Sequence, residues 1–254
     1  MLPNQKTSGF GEYWRGEEVK EHLTLTQYQT ILPTFLRLLP RQGRILDAGC
    51  GLGRWLIYLW DLGYTIQGMD VSADALKAIR DYNKSIPLCQ GDVESAPFVN
   101  TCFDAIISLG VIEHFEADPS KALREAHRLL KEDGILLLTV PYQNLIRRLI
   151  YSPFILLVGR WWKLLGRRRQ FMEYRFSKNE ITDFVKQAGF QVLHVEADDF
   201  TPPKSLGIYS DWSWCIGNRD VRWELNTVGK ILMRFLGLFP LWLYCSGILV
   251  VARK

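Results

Sequence analysis

Arg44-Ile-Leu-Asp-Ala-Gly-Cys-Gly-Leu-Gly-Arg54 is an apolar run that ends in an acid and then places glycine at every second position. An amphipathic stretch over 55–60 follows at once. The order reads as a strand, a tight turn and the N-terminus of a helix. Glycines in such a turn let backbone N–H groups approach a ligand with no side chain in between. The spacing decides the kind of ligand. A dinucleotide fingerprint, Gly-x-Gly-x-x-Gly, would need its third glycine at position 54, which is Arg54. The third glycine is Gly53, and Asp47 stands two residues before the first. That is not the dinucleotide pattern. No lysine follows the glycines, which argues against a triphosphate loop.

Strand and helix patterns alternate on either side of this turn. A helical stretch over 17–39, with Pro33 marking a break, leads into a strand over 44–48 and a helix over 54–62. Strands follow at 64–70, 86–90, 103–109 and 135–140, with helices at 73–82 and 119–130. Asp118-Pro119 supplies an acid cap and a first-turn proline for the last of these helices, and Gly134 reads as its stop. Ser177-x-x-Glu180 is a capping box opening a helix over 178–188, which ends at Gly189 before a strand over 190–195. Alternation of this kind predicts a parallel sheet covered by helices on both faces. The expected organisation is an N-terminal helical cap over 1–40 and one α/β domain over 41–254.

Two segments interrupt the alternation, at 142–176 and 197–245, before a last strand over 247–251. Connections this long inside a compact domain are usually functional. Both leave from the carboxyl ends of strands, where open parallel sheets bind their ligands. They are therefore expected to form lids.

At 254 residues and 48% hydrophobic content, the chain can bury a sizeable core. The net charge of +4 is unevenly placed. Seven basic residues and no acid lie between Pro141 and Met172, so the rest of the chain is net acidic and no general nucleic-acid surface is expected. Five cysteines without a Cys-x-x-Cys pair point to free thiols in a reducing compartment, and no metal site is expected. The polar N-terminus lacks the apolar region of a signal peptide, so a cytoplasmic location is expected.

Three further features fall at the ends of successive strands. Asp70, with Val71 after it, ends the second strand, where a carboxylate can accept both hydroxyls of a ribose. Asp92 and Val93 follow the third, where a carboxylate and a backbone N–H suit an adenine edge. Ser108-Leu-Gly-Val-Ile-Glu-His114 follows the fourth. Asp47 is placed to meet an ammonium, directly or through water. The set suits a ligand that joins an adenosine to an amino acid. Taken singly, Asp70 reads equally well as a helix cap and Asp92 as a turn former.

The chain resembles class I S-adenosylmethionine-dependent methyltransferases of the broad group that includes ubiquinone and menaquinone biosynthesis enzymes. The residues that carry the resemblance are Ile45-Leu-Asp-Ala-Gly-Cys-Gly-Leu-Gly-Arg54, Gly68-Met-Asp-Val-Ser72, Gly91-Asp92 with Pro97-Phe98, Ile112-Glu-His114 and Arg128-Leu-Leu-Lys-Glu-Asp-Gly134. The resemblance implies a Rossmann-like, doubly wound seven-stranded sheet of order 3-2-1-4-5-7-6 with the last strand antiparallel. It also implies S-adenosylmethionine as cofactor. Gly49, Gly51 and Gly53 would surround its methionine part, Asp70 its ribose, and Asp92 with Val93 its adenine. Leu109 and Gly110 would line the sulfonium side.

Methyl transfer from a sulfonium is an in-line displacement, so positioning and exclusion of water supply much of the catalysis. An oxygen or nitrogen nucleophile still has a proton to lose, and His114 is the candidate base, against a purely structural reading of the same histidine. Some family members bind a metal through Glu-x-x-Glu-His here, but Gly110 replaces the first acid. Tyr13, Trp14, Tyr142, Trp161 and Trp162 are candidate pocket-lining residues. The first insertion interleaves aromatic and aliphatic residues with its seven basic ones. That composition suits an interfacial segment on anionic lipid, at the inner face of a membrane. It equally suits a lid with solvated arginines, or arginines that hold an anionic soluble metabolite or sugar. The expected partner is a small, amphipathic, lipid- or quinone-like acceptor. A non-catalytic protein that keeps the fold for binding or membrane docking is the rival. The uncharged run over 235–251 is marginal for a membrane span, and Gly237, Pro240 and Gly247 interrupt it, so a buried helix and an inner strand are expected.

Overall fold

The computed structural model describes residues 29–115, 118–151, 173–199 and 225–254, together with 19, 23, 26 and 27. The first half alternates as α1 (Leu32–Leu38), β1 (Ile45–Ala48), α2 (Arg54–Asp61), β2 (Ile66–Asp70), α3 (Ala73–Tyr82) and β3 (Leu88–Gln90). β4 (Phe103–Leu109), α4 (Ser120–Leu129) and β5 (Leu130–Pro141) follow. The described chain ends with α5 (Lys178–Gln187), β6 (Gln191–Asp198), α6 (Thr227–Leu236), α7 (Leu241–Tyr244) and β7 (Gly247–Arg253).

The seven strands form one sheet in the order β3-β2-β1-β4-β5-β7-β6, as the resemblance implies. β1 to β5 are mutually parallel, and β7 runs antiparallel to both β5 and β6. Alternating side chains divide the core between two faces, as the two-residue period of a strand dictates. Leu46, Ile106, Leu138 and Val250 face one way, packing with Leu123 of α4 and Val185 of α5. Ile45, Ile107, Leu137 and Val251 face the other, packing with Phe35 of α1, Leu56 of α2 and Ile79 of α3. Burial of each such Leu or Ile contributes about 1.5–3 kcal/mol. The central strands are buried on both faces: every residue of β1 is covered, and β7 reads as an unbroken apolar run from Gly247 to Ala252.

Local expectations are refined or changed at four places. The helical stretch does break ahead of Pro33, at a turn over 29–31, and Pro33 sits in the first turn of α1, where its missing N–H has no partner to lose. Gly134 is not the stop of α4. That helix ends at Leu129 because Leu130 already pairs with Phe103 of β4. Gly134 serves a close approach within β5 instead, since a Cβ there would stand 2.8 Å from the Lys131 carbonyl oxygen. Asp118 does accept from the Ser120 N–H at 2.9 Å, as a capping acid should. β6 extends to Asp198, so the second insertion leaves the sheet there and returns at Gly247.

The fourth change concerns the C-terminal region. Gly247 does open an inner strand, but the helix before it is not buried. Val228, Ile231 and Phe235 of α6 are exposed, as are Leu238, Phe239 and Leu241 beyond it. No helix among the described residues is long and apolar enough to cross a membrane.

Candidate active site

The glycine turn joins β1 to α2, and all three glycines take left-handed backbone angles: Gly49 φ +84°, Gly51 +51° and Gly53 +75°. An L side chain in that region costs roughly 1–2 kcal/mol, which explains glycine at every second position. The Gly49 and Cys50 N–H groups both donate to the Met69 carbonyl, at 2.8 and 3.0 Å, tying the turn to the end of β2. From the other side Val111, just beyond β4, closes on it: a Cβ on Gly49 would stand 2.5 Å from Val111 Cγ2. Gly49→Ala is therefore expected to destabilise the fold by about 2 kcal/mol or more, lowering the melting temperature by roughly 5 °C. A thermal melt checks this.

Gly53 caps α2 without a side chain, and Asp47 supplies what is missing by accepting from the Leu56 N–H in the first turn of the helix. Asp47 is 3% exposed. Burial, and then the neighbouring Asp70, raises its pKa to about 7. Burial also pushes the Cys50 thiol well up, so it is an inert filler of the turn. The charge of Arg54, which follows the glycine turn, lowers the Asp47 pKa only in part.

Asp70 ends β2 with one oxygen accepting from the Gly51 N–H and the other from the Ser72 N–H, both at 2.8 Å. Ser72 is the cap of α3, accepting from the Ala75 N–H at 3.2 Å. The capping role for Asp70 is therefore taken. The Val71 N–H bonds the same carboxylate, which therefore accepts three backbone N–H groups. Val71, which follows, accepts the Gln90 side-chain amide at 3.1 Å, linking the ends of β2 and β3.

Asp92 is half-buried in the turn after β3, where one of its oxygens accepts from the Glu94 N–H at 2.9 Å. The turn-forming reading of Asp92 is thus realised. Val93 lines a cavity of about 20 Å³ with Ala48, Met69 and Ser108, room for one water at most. Leu109 ends β4, and Gly110 follows at φ +71°. The next turn, Ile112–His114, buries Glu113 to 3% exposure and leaves His114 half-buried. A Cβ on Gly110 would lie 3.5 Å from Glu113 Oε1, so this carboxylate packs under the turn after β4. The Glu113 carbonyl also accepts the Tyr174 N–H at 2.8 Å, which brings the end of the first insertion over β4.

Tyr142 stands at the roots of both insertions. Its N–H donates to the Ser246 carbonyl at 2.7 Å, and its ring meets Trp242 edge-on at 5.5 Å. Tyr13, Trp14, Trp161 and Trp162 lie outside the described residues. Sequence reasoning missed Arg54 and Asp198. Arg54 follows the glycine turn, where burial lowers its pKa and Asp199, Asp198 and Asp47 counter that effect. Asp198, 4% exposed, accepts the Thr30 hydroxyl at 2.6 Å. No local pattern joins Arg54 to these acids, because β6 reaches this end of the sheet only through β7.

Residues 46–138 match the family model of a methyltransferase domain. An uncharacterized protein of Methanocaldococcus jannaschii is 28% identical over 170 residues, covering 62% of this chain and 65% of that one. A ubiquinone biosynthesis O-methyltransferase of Glaesserella parasuis is 26% identical, covering 63% of this chain and 70% of its own. The chain thus spans just under two thirds of the first relative's length. Among solved structures, a Haloferax volcanii putative methyltransferase, in complex with the activator Trm112, superposes with a TM-score of 0.62. It is 18% identical over 96% of this chain and 97% of that one.

Three left-handed glycines and the buried carboxylates of Asp47 and Asp70 thus lie together at the carboxyl edge of the sheet. The seven-stranded order and the match over residues 46–138 make this part of the chain similar to the methyltransferase domain of class I S-adenosylmethionine-dependent enzymes.

Proposed function

We propose that this chain methylates a small amphipathic acceptor, lipid- or quinone-like, at an oxygen or nitrogen, working at the inner face of a membrane. The observation that carries this reading is an aromatic wall at the roots of the two insertions, joined to the turn after β4 by the Tyr174 N–H bond to the Glu113 carbonyl. Tyr142 packs on Trp242 and Tyr174 on Phe176 at 6.0 Å, while Phe176 itself is buried and held in the core by Phe184. Flat apolar rings favour such a wall, through edge-on contacts that add about 0.5–1.5 kcal/mol each. The printed name of the Glaesserella relative, an O-methyltransferase of ubiquinone biosynthesis, supports the same acceptor class.

S-adenosylmethionine, when bound, supplies an electrophilic methyl group on a sulfonium. Asp70 and Asp92 would hold its adenosine, and Asp47 with the glycine turn would hold the amino-acid end. Gly110 leaves the methyl group's approach clear, and the aromatic wall aligns the acceptor and excludes water. His114 takes the proton that the acceptor's nucleophilic atom loses on methylation.

Incubation with methyl-labelled S-adenosylmethionine and a cell extract separated into lipid and aqueous fractions tests the acceptor class. Label is expected in the lipid fraction; label confined to the aqueous fraction would contradict the reading. His114→Ala is expected to lower kcat about 100-fold, within the usual range for a general base, with S-adenosylmethionine affinity unchanged. A loss of affinity instead would make His114 structural.

A further inference from the structure

We infer that α6 and the turn after it form a docking surface for an anionic lipid bilayer. Val228, Ile231 and Phe235 recur at helical spacing on one side of α6, and Leu238 continues the stripe. Ile231 is 61% exposed, Phe235 55% and Leu238 79%. Gly229 and Leu236 face the protein, so this stripe is the outward side of a helix already packed on its inner one. Exposed Lys230 and Arg234 run alongside it. An apolar stripe flanked by basic residues is the pattern of a helix lying in a membrane interface.

The surface continues into the first insertion. The Asn144 side chain donates to the Cys245 carbonyl at 2.9 Å, so the chain leaves β5 beside α7. It then presents exposed Leu145 and Leu149 with exposed Arg148 between them. No Asp or Glu occurs in 142–151 or in 225–254. The exposed charges along α6 and 145–149 are Lys230, Arg234 and Arg148, with Glu180 of α5 near the last of them.

That charge decides the occupant. A two-fold pairing with a second copy would set the same patch against itself and bring the basic flanks together. Anionic headgroups neutralise those flanks while the acyl region takes Ile231, Phe235 and Leu238. Because both insertions leave from the carboxyl edge of the sheet, docking would turn the aromatic wall and the cofactor site toward the lipid.

The inference extends the amphipathic-acceptor reading, and its test is independent of turnover. The full chain is sedimented with phosphatidylcholine vesicles and with vesicles containing phosphatidylglycerol. Binding to the anionic vesicles is expected, with at least about tenfold weaker binding to the neutral ones. The double variant Ile231→Asp with Phe235→Asp should lose binding to both. Lys230→Gln with Arg234→Gln should weaken binding to the anionic vesicles alone, by about tenfold. Both variants should bind S-adenosylmethionine as the wild type does, which shows that they are folded. Three outcomes would overturn the proposal: wild-type indifference to anionic vesicles, variants that bind as the wild type, or a dimer in sedimentation velocity that the Asp variants split. Label transfer to a soluble acceptor would refute the acceptor reading and leave a positive vesicle result standing.

Discussion

Asp70→Ala is expected to weaken S-adenosylmethionine binding by about a hundredfold or more. Two hydrogen bonds from ribose hydroxyls to a carboxylate contribute about 1.5–3 kcal/mol each, and a hundredfold is about 2.7 kcal/mol. The same substitution frees the Gly51 N–H, which now donates to Asp70 at 2.8 Å, so the turn loosens as the ribose loses its partner. Asp74→Ala is the control: Asp74 is an exposed acid in the first turn of α3, four positions further along. Its loss should leave affinity within about twofold, since a charge in a helix's first turn contributes only 0.3–1 kcal/mol, and to the helix rather than the ligand. Calorimetry on the two variants separates a specific contact from general acidity at this edge. Equal losses would refute the assignment of Asp70 to the ribose.

The second large effect is on pH, through Asp47. Burial and Asp70 raise its pKa to about 7 in the folded, ligand-free protein. Between about pH 4 and 7 the folded chain therefore holds a proton that the unfolded chain has released. Its contribution to stability is complete below pH 4 and is lost as pH rises toward 7. Binding runs the other way. A cationic amino-acid group favours the ionised carboxylate, so binding expels the proton, and affinity should rise by up to about tenfold per pH unit between roughly pH 5.5 and 7. Asp47→Asn should flatten both dependences. Calorimetry at pH 6 in two buffers of different ionisation enthalpy counts the protons directly. About one should be released by the wild type and fewer by the variant.

Much of this fold is legible locally. Gly49, Gly51 and Gly53 could be read because left-handed backbone selects glycine residue by residue, and the observed angles supply the reason. The capping box at Ser177 and Glu180 was readable for the same cause: its bonds span only three residues. The strand order was available only through resemblance, since no local rule places β7 between β5 and β6. Misreadings arose where tertiary pairing overrode local signals. Gly134 looked like a helix stop, but pairing of Leu130 with Phe103 ended the helix earlier. The apolar run before Gly247 looked like core, yet one face of α6 is outward, because composition reports hydrophobicity and not which side is covered. Arg54 and Asp198 could not be paired from sequence at all, since only the β6–β7 hairpin arrangement delivers Asp198 to this end of the sheet.

The claim on which the rest depends is that the glycine turn, Asp47 and Asp70 form a site for S-adenosylmethionine. Calorimetric titration of the wild-type chain with that compound above pH 7, where Asp47 is ionised, tests it most directly. Saturable binding of one molecule per chain is predicted, displaced by S-adenosylhomocysteine. Absence of binding at ligand concentrations of about 1 mM, an affinity of only some 4 kcal/mol, would contradict it.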